Sequence, residues 1–351
     1  MNIGILTLPL HTNYGGVLQA FALYYTLQSY GHNVSLIDGK MYEVTSCREK
    51  ISVARWQFFK MLGLYKENHP QLQLREKMKI IIPFIQKLIP QQVPLQNVHQ
   101  DTFDAIVVGS DQVWRGLYSD QLVFFLDFAK GWNIKRIAYA ASFGVDDWKP
   151  SCNVAEYCKS LLKDFDYVST REKNGIKICK DILECKAEWV IDPTMLLESH
   201  VYRDIACRGG VDVNEKEPYL LAYLLDNDTE KHYQVEEIAC KYNLKIINIG
   251  ISETGQKVLS IENWLKLIEK SSYVTTDSFH GTVFSILFNK PFYVLGNNSR
   301  GNSRFNSLLE FTGLMDRVKD NSIDTIDWQI VNEKVSVERK RCCGILKEKI
   351  Q

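Results

Sequence analysis

The stretch NIGILTLPLHTNYGGVLQAFALYYTLQSYGHNVSLID, residues 2–38, decides the fold class. Its apolar run at 2–8 predicts a buried strand, and apolar residues at helical spacing predict a helix over 16–30. Residues 33–38 predict a second strand. A strand, helix and strand in this order form a unit with parallel strands and a right-handed crossover, which is the start of an α/β protein.

Between that first strand and the helix lie two adjacent glycines, Gly15 and Gly16. Glycine pairs permit positive φ and close packing, which is the structural interpretation. Backbone N–H groups at a helix N-terminus also suit an anion, which is the functional one. The segment is neither a GxxxxGK[ST] loop nor a GxGxxG loop, so a standard nucleotide site is not indicated.

The composition describes an ordinary globular protein of 351 residues with 45% hydrophobic residues. Lysine plus arginine and aspartate plus glutamate both number 42, and a nonspecific nucleic-acid binder would carry a basic excess. The nine cysteines have neither metal-site nor CxxC spacing, which indicates reduced thiols in a cytoplasmic protein. The N-terminal apolar run is shorter than the roughly 18–20 residues that span a bilayer, and no signal peptide is expected.

The strand–helix alternation runs through most of the chain in two sets, which predicts two Rossmann-like domains facing each other across a cleft. We place the N-terminal domain at residues 1–200, with a helical insertion at about 45–100. The C-terminal domain is placed at 201–330 and a helical tail at 331–351. The polar, glycine-containing segment 198–216 is the best linker candidate.

The predicted insertion at 45–100 mixes aromatic and basic residues, as in ARWQFFKMLGLY and KMKIIIPFIQKLIP. Two interpretations remain open. The favoured one is a helical pair packed on its own domain. The other is a peripheral surface that contacts a membrane or a lipid-linked substrate.

Polar clusters follow six of the predicted strands. In open α/β sheets, ligands bind at the carboxyl ends of the strands, so these clusters are the candidate site. In chain order they are HTNYGG, GSDQVW, SFG, STRE, TDSFHG and GNNSRGNSR.

Two of the clusters contribute a charged side chain, Asp111 in one and Arg171 in the other, and each has a structural alternative. Asp111, beside Ser110, could bind sugar hydroxyls or assist proton transfer, or it could only cap the next segment. Arg171 could clamp a carboxylate or phosphate through two hydrogen bonds. It could instead form an ion pair with Glu172 or another neighbour.

TDSFHG is the most specific of the clusters because it places His280 in the first turn of a helix. Ser278 and Gly281 flank the imidazole, and the backbone N–H groups there point the same way as the ring. Such a turn can bind phosphate and supply a proton. Packing or helix capping is the alternative, but Arg300 and Arg304 in a neighbouring strand-end loop add positive charge and favour the site.

Taken together, NYGGVLQAFAL, VVGSDQVW, AYAASFG, STRE, VIDPTMLL and TTDSFHGTVFSILFNKPF resemble the polysaccharide pyruvyl transferase family in order and spacing. The resemblance implies two Rossmann-like domains of glycosyltransferase-B type. It implies transfer of a pyruvyl group from phosphoenolpyruvate to two hydroxyls of one sugar, giving a ketal. The acceptors it implies are polymeric or lipid-linked glycans of capsule, exopolysaccharide or cell wall.

The resemblance also assigns residues. His280 matches the active-site histidine, and Arg171 matches an arginine that holds phosphoenolpyruvate. Ser278 and Gly281, in the turn that carries His280, are predicted to bind the donor as well. Arg300 stands where some members have lysine, which keeps the charge but not the ability to transfer a proton. Arg304 is the substitute if the loop aligns differently.

With the anionic donor accounted for, the remaining residues are predicted to bind the acceptor, and Asp111 is the weaker candidate for a base. The predicted acceptor-binding residues are Asn13, Gly15, Gly16, Ser110 and Gln112. No metal-ligand cluster is evident, and phosphoenolpyruvate is a substrate, so no metal and no cofactor are expected.

Two other functions remain as alternatives. One is a nucleotide-sugar-dependent glycosyltransferase of the same fold, and the other is a glycan-binding protein without activity. The expected location is the cytoplasm, with the inner face of the membrane as an alternative. The oligomeric state is left open, a homo-oligomer included.

Overall fold

The computed structural model describes residues 1–38, 61, 70–116, 121–212, 217–226, 228–250, 259–296, 301–323 and 326–351. Within these ranges the chain forms two parallel β-sheets accompanied by helices. This confirms the predicted α/β class with two Rossmann-like units. The domain boundaries placed near residues 200 and 330 remain predictions.

The first sheet contains seven strands within the described ranges, and each neighbouring pair is parallel. Its middle strands are almost wholly buried, as expected of parallel strands covered on both faces. The strands are β1 (Asn2–Leu6), β2 (Asn33–Asp38), β3 (Gln92–Pro94), β4 (Ala105–Val108), β5 (Lys135–Ala141), β6 (Tyr167–Thr170) and β7 (Glu188–Trp189). Their spatial order is β3-β2-β1-β4-β5-β6-β7.

Four longer helices within the described part of the chain accompany this sheet. Helix α1 is buried over most of its surface and ends just before Gly31, whose φ of +88° lies in the left-handed region that glycine tolerates. The predicted end of this helix is thereby confirmed. The four helices are α1 (Tyr14–Ser29), α2 (Pro70–Leu88), α3 (Cys152–Leu162) and α4 (Lys173–Asp181).

Helix α2 shows how the described part of the predicted insertion is used. Ile81, Phe84 and Ile85 are buried, and the Phe84 ring packs edge-on against Phe21 of α1, with 6.5 Å between centroids. This part of the insertion therefore packs on its own domain, which was the favoured interpretation. The segment ARWQFFKMLGLY lies almost wholly outside the described residues.

The second sheet contains four described strands in the order β11-β10-β8-β9, all parallel. They are β8 (Tyr219–Leu224), β9 (Lys245–Gly250), β10 (Tyr273–Thr276) and β11 (Phe292–Val294). The accompanying helices are α5 (Ser199–Ala206), α6 (Thr229–Lys241), α7 (Ile261–Lys270), α8 (Phe279–Leu287) and α9 (Ser303–Thr312). The predicted cap of α7 is confirmed, because the Ser260 side chain accepts from the Asn263 N–H at 3.2 Å.

The linker prediction at 198–216 is wrong for its first half. Residues Ser199–Ala206 form helix α5, and its Tyr202 and Ile205 are buried. This helix packs against α7 of the second sheet. The helix is amphipathic: Tyr202 and Ile205 face the protein, while polar residues such as His200 and Asp204 are exposed. These exposed polar residues are what suggested a linker.

The C-terminal helix α10 (Trp328–Ile350) joins the two halves and confirms the predicted helical tail. Near its start Lys334 donates to the Thr312 carbonyl at the end of α9, at 3.3 Å. Near its end the Cys343 carbonyl accepts from the Tyr30 hydroxyl at 3.0 Å, and Ile350 is buried. The helix therefore runs from the second unit back to the first.

Candidate active site

Residues that follow strands of both sheets meet in one buried group. His280 follows β10 of the second sheet and contacts Gly15, which follows β1 of the first. The carboxyl ends of the two sheets therefore face each other, as the predicted cleft requires. We call the ionisable side chains gathered here the charged cluster: Asp111, Arg171, Glu172, Asp192, His280 and Arg304.

Arg171 lies at the centre of the charged cluster and is already paired with two carboxylates. Its Nη1 donates to Asp192 Oδ2 at 2.7 Å and its Nη2 to Asp111 Oδ1 at 2.9 Å, while its side chain is 0% exposed. Of the two interpretations left open, the structure therefore shows the ion pair. The partners are Asp111 and Asp192, with no ion pair formed to Glu172, so Arg171 is not available as a free clamp in this state.

Asp192 is the main residue that the sequence analysis missed. The motif VIDPTMLL marks a strand end, but an aspartate before a proline is typical of a turn, and no role was assigned. Asp192 does cap that turn, since its Oδ1 accepts from the Thr194 N–H at 3.0 Å and the Thr194 hydroxyl at 2.6 Å. Its other oxygen points into the charged cluster. Asp192 follows a strand of the first sheet, as the six polar clusters follow theirs, and this position could have identified it as a site residue.

His280 stands in the first turn of α8, as predicted. The Ser278 side chain caps this helix by accepting from the Gly281 N–H at 3.3 Å. The imidazole Nε2 lies 3.6 Å from Asp192 Oδ2, and His280 is 8% exposed. The ring is thus held at the junction of the two sheets with little access to solvent.

Different neighbours leave little or no room for a side chain at Gly15 and at Gly16. A Cβ on Gly15 would lie 2.0 Å from His280 Nδ1, so the imidazole fills the space that a side chain would need. A Cβ on Gly16 would lie 3.1 Å from Asn13 Nδ2 and 3.3 Å from Asp111 Oδ2. We predicted that the acceptor sugar approaches the backbone at Gly15. The structure corrects this prediction, because the His280 imidazole occupies the space next to Gly15.

Two other predicted acceptor residues face the protein in this structure. Ser110 is fully buried, and its hydroxyl donates to Asp192 at 3.3 Å, so it supports a carboxylate and is not open to a substrate. Gln112 accepts from Arg115 Nη1 at 2.8 Å and packs where a Cβ on Gly144 would be, at 2.3 Å. Asn13 is better placed, since its amide donates to Asp111 Oδ2 at 3.4 Å from the partly exposed start of α1.

Arg304 brings a second guanidinium to the charged cluster from the first turn of α9. Its side chain is buried and lies over the Phe279 ring, with the guanidinium carbon 5.8 Å from the ring centroid. Burial and the charge of Arg171 lower the pKa of Arg304 to about 10, while Glu172 and Asp111 oppose the shift. Arg304 therefore stays charged near neutral pH. Arg300, the first choice from sequence, lies outside the described residues.

The carboxylates of the charged cluster divide into two kinds. Burial raises the pKa of Asp111 and of Asp192, but the positive groups around them outweigh it and leave both below their usual range. For Asp192 these groups are His280 and Arg171. Burial raises the pKa of Glu172 above its usual value in spite of Arg171 and Arg304. Asp111 and Asp192 are therefore the stable negative charges of the cluster.

Acid is expected to weaken the fold through Asp111 and Asp192. A carboxyl with a lowered folded pKa contributes stability fully above its unfolded pKa of about 3.9 and loses it as the pH falls toward the folded value. The Asp192→Asn protein should therefore lose less free energy of unfolding than the wild type between about pH 7 and pH 3. Urea unfolding at both pH values measures this. Equal losses of unfolding free energy in the two proteins would contradict the expectation. Glu172, whose raised pKa acts in the opposite direction, is present in both proteins and does not affect the comparison.

Two contacts outside the charged cluster hold the units together around it. The Tyr14 hydroxyl donates to the Leu259 carbonyl at 3.0 Å and accepts from the Leu259 N–H at 3.2 Å. Across the cleft, the Asp146 carboxylate accepts from the Ser303 N–H at 3.0 Å and so caps α9. This cap fixes the helix turn that carries Arg304.

A family model described as polysaccharide pyruvyl transferase matches residues 13–299. The chain belongs to this family. The pyruvyl transferase match includes the segments that carry Asp111, Arg171, Asp192 and His280, while Arg304 lies just beyond its end. The family establishes a transferase linked to polysaccharides, in agreement with the resemblance found in the sequence.

Solved structures similar to this pyruvyl transferase family member are distant. UDP-GlcNAc 2-epimerase from Methanocaldococcus jannaschii is 13% identical with a TM-score of 0.44, covering 96% of this chain and 99% of that one. The Neisseria meningitidis UDP-GlcNAc 2-epimerase is 10% identical with a TM-score of 0.46, covering 100% of this chain and 99% of that one. E. coli ADP-heptose LPS heptosyltransferase II is 12% identical with a TM-score of 0.39, covering 97% of this chain and 99% of that one. These values carry no statement about substrate, and no curated protein matches the sequence.

The described residues contain neither a metal-ligand cluster nor a membrane-spanning helix. No group of three or more His, Cys, Asp or Glu side chains in the described ranges is arranged to hold a metal ion. Among the helices that the structure describes, none combines the length and the apolar character needed to cross a bilayer.

Proposed function

We propose that this pyruvyl transferase family member moves the pyruvyl group of phosphoenolpyruvate onto two hydroxyls of one sugar, giving a pyruvate ketal and phosphate. The observation that carries the proposal is the position of His280. Its imidazole lies where the carboxyl ends of both sheets meet, at the start of α8 and against the start of α1. A buried guanidinium, Arg304, belongs to the same cluster.

The chemistry needs one proton donor, an anion site and an oriented diol. A proton added to the methylene carbon of phosphoenolpyruvate makes the adjacent carbon electrophilic, and one sugar hydroxyl adds there and gives up its proton. The bond from that carbon to the phosphate oxygen then breaks, phosphate leaves, and the second hydroxyl closes the ketal. One hydroxyl proton replaces the proton delivered to carbon, and the other leaves with phosphate, so the reaction balances.

In this scheme His280 is the acid or the phosphate ligand. Anionic ligands are favoured at the N-terminus of α8, which contributes about 0.3–1 kcal/mol. That is small for a ligand with a phosphate and a carboxylate, so cationic side chains must supply most of the stabilisation. Arg304 is the donor-binding arginine that we favour among the described residues, with Arg300 as a further candidate. Ser278 and Gly281 then shape the turn that presents the ring.

Two assignments change on the basis of the charged cluster. Arg171 would have to release a carboxylate to bind the donor, so we assign it the role of holding Asp111 and Asp192 in place. A carboxyl with a lowered pKa is a weaker proton acceptor. We therefore propose that Asp111, with Asn13, accepts a hydrogen bond from an acceptor hydroxyl and does not act as the base. Gly16, which has no Cβ to crowd them, lets Asn13 and Asp111 pack against the start of α1.

The proposed acceptor is a sugar of a polymeric or lipid-linked glycan for capsule, exopolysaccharide or cell wall. The reaction is proposed for the cytoplasm or the inner face of the membrane. Helix α2 buries Ile81 and Phe84 in the protein, so a membrane contact would need other residues. No cofactor takes part, because phosphoenolpyruvate is consumed as a substrate.

The test is a screen of lipid-linked sugars and oligosaccharides with phosphoenolpyruvate, read as phosphate release and as a mass gain of one pyruvate ketal. We expect both signals together with at least one acceptor. Sugar transfer from nucleotide sugars without use of phosphoenolpyruvate would point to a glycosyltransferase. Acceptor binding without either reaction would point to a glycan-binding protein, and each of these outcomes overturns the proposal.

A further inference from the structure

We propose that Asp192 is the positioning residue of His280. In this proposal the Asp192 carboxylate accepts from the imidazole Nε2–H, and Nδ1 is the nitrogen that meets the substrate. The catalytic consequence rests on the proposed function, whereas the orientation of the ring does not.

The first step is that Asp192 is held in place independently of His280. Its Oδ1 accepts two hydrogen bonds from Thr194, at 3.0 and 2.6 Å, and its Oδ2 accepts from Arg171 at 2.7 Å and from the Ser110 hydroxyl at 3.3 Å. The side chain is wholly buried. A carboxylate fixed at both oxygens is a fixed reference point for a neighbouring ring.

The second step concerns which ring nitrogen is enclosed. Within the described residues, His280 Nε2 is shielded from solvent and has no partner within hydrogen-bond distance. Its near neighbour is Asp192 Oδ2 at 3.6 Å. A shift of less than 1 Å would give a charge-assisted hydrogen bond of about 2.7–2.9 Å, and without it a buried donor would stay unsatisfied.

The third step concerns the other nitrogen. His280 Nδ1 lies over Gly15 in the first turn of α1, 2.0 Å from where a Cβ on that glycine would be. The N-termini of α1 and α8 therefore meet beside it, which is the region where an anionic group is favoured. With a proton fixed on Nε2, the proton that His280 gives or takes in the cleft is the one on Nδ1.

Other charged groups near His280 provide a matched control. Asp111, Arg171 and Arg304 share the charged cluster with it. The Asp111 carboxylate is directed at Arg171 and Asn13. Asp111→Asn therefore removes one carboxylate from Arg171, as Asp192→Asn does, but leaves the Nε2 contact intact.

The test is ¹H–¹⁵N NMR of the protein with ¹⁵N-labelled histidine, with the His280 signals assigned by the His280→Gln variant. We expect a downfield, exchange-protected ring N–H that two-bond correlations assign to Nε2. It should be lost in Asp192→Asn and kept in Asp111→Asn. A ring N–H on Nδ1 in the wild type overturns the proposal, as does persistence of an unchanged Nε2–H signal in Asp192→Asn.

Kinetics separate this inference from the proposed function. If phosphoenolpyruvate is the donor, Asp192→Asn should lower kcat by about 10- to 100-fold, with a smaller change in KM, because orientation and not binding is lost. The expected NMR signals in a protein that never consumes phosphoenolpyruvate would keep the assignment of Asp192 and overturn the proposed function. If Asp192→Asn does not fold, the wild-type spectrum alone decides, since it shows which nitrogen carries the protected proton.

Discussion

Replacing His280 by alanine is expected to lower kcat for phosphate release from phosphoenolpyruvate by about 10²- to 10⁴-fold, the usual contribution of a positioned acid or base. The imidazole is the ionisable ring that stands between the two sheet edges, with Nε2 near Asp192 and Nδ1 over Gly15. The guanidinium of Arg304 is a poor substitute as a proton donor, because with a pKa of about 10 it is a weak acid near neutral pH.

The measurement is steady-state turnover with saturating acceptor for the wild type, His280→Ala and His200→Ala. His200 is an exposed histidine on α5 and serves as the control, for which wild-type turnover is expected. Thermal unfolding of all three proteins excludes a general loss of structure. Turnover of His280→Ala within a few fold of the wild type would remove His280 from the mechanism.

The second large effect is expected for Gly15→Ala. The new Cβ would lie 2.0 Å from His280 Nδ1, a distance that forces the ring or the start of α1 to move. Overpacking of this kind typically costs about 1–3 kcal/mol of the free energy of unfolding. Because the displaced ring is the proposed acid, kcat should also fall toward the value of His280→Ala.

Gly344→Ala is the matched control for this substitution. Gly344 is also helical, in α10, and nothing lies within 4 Å of its added Cβ. Alanine there should stabilise by about 0.5–1 kcal/mol. In the double variant Gly15→Ala/His280→Gly both the imidazole and its Cβ, which would lie 2.6 Å from the new Cβ, are absent, so the cost of Gly15→Ala measured against His280→Gly should largely disappear. The same cost with and without the imidazole would contradict the contact between Gly15 and His280.

The fold was largely predictable from periodicity. The apolar runs of β1, β4, β8 and β10 and the helical spacing of α1 and α7 are local signals that the structure confirms. Shorter elements were missed. Strand β3 has only three residues and contains Pro94, and helix α5 was hidden within a polar segment.

The location of the candidate site was also predictable, because polar residues after parallel strands gather at one sheet edge. What could not be predicted is which side chains satisfy each other there. Arg171 bonds Asp111 and Asp192, residues on other strand ends, and this pairing depends on how the sheet orders its strands. Gly15 and His280 come from different sheets, and only the facing of the two sheet edges brings them together.

The central claim is that the cluster around His280 catalyses pyruvyl transfer from phosphoenolpyruvate. The most direct test follows ¹³C-labelled phosphoenolpyruvate by NMR in the presence of the acceptor found in the screen, with wild-type protein and with His280→Ala. The account predicts that the wild type converts the label into a ketal carbon and a new methyl group on the sugar, and that His280→Ala does so at least 10²-fold more slowly. Unchanged phosphoenolpyruvate with the wild type, or equal ketal formation by both proteins, would contradict it.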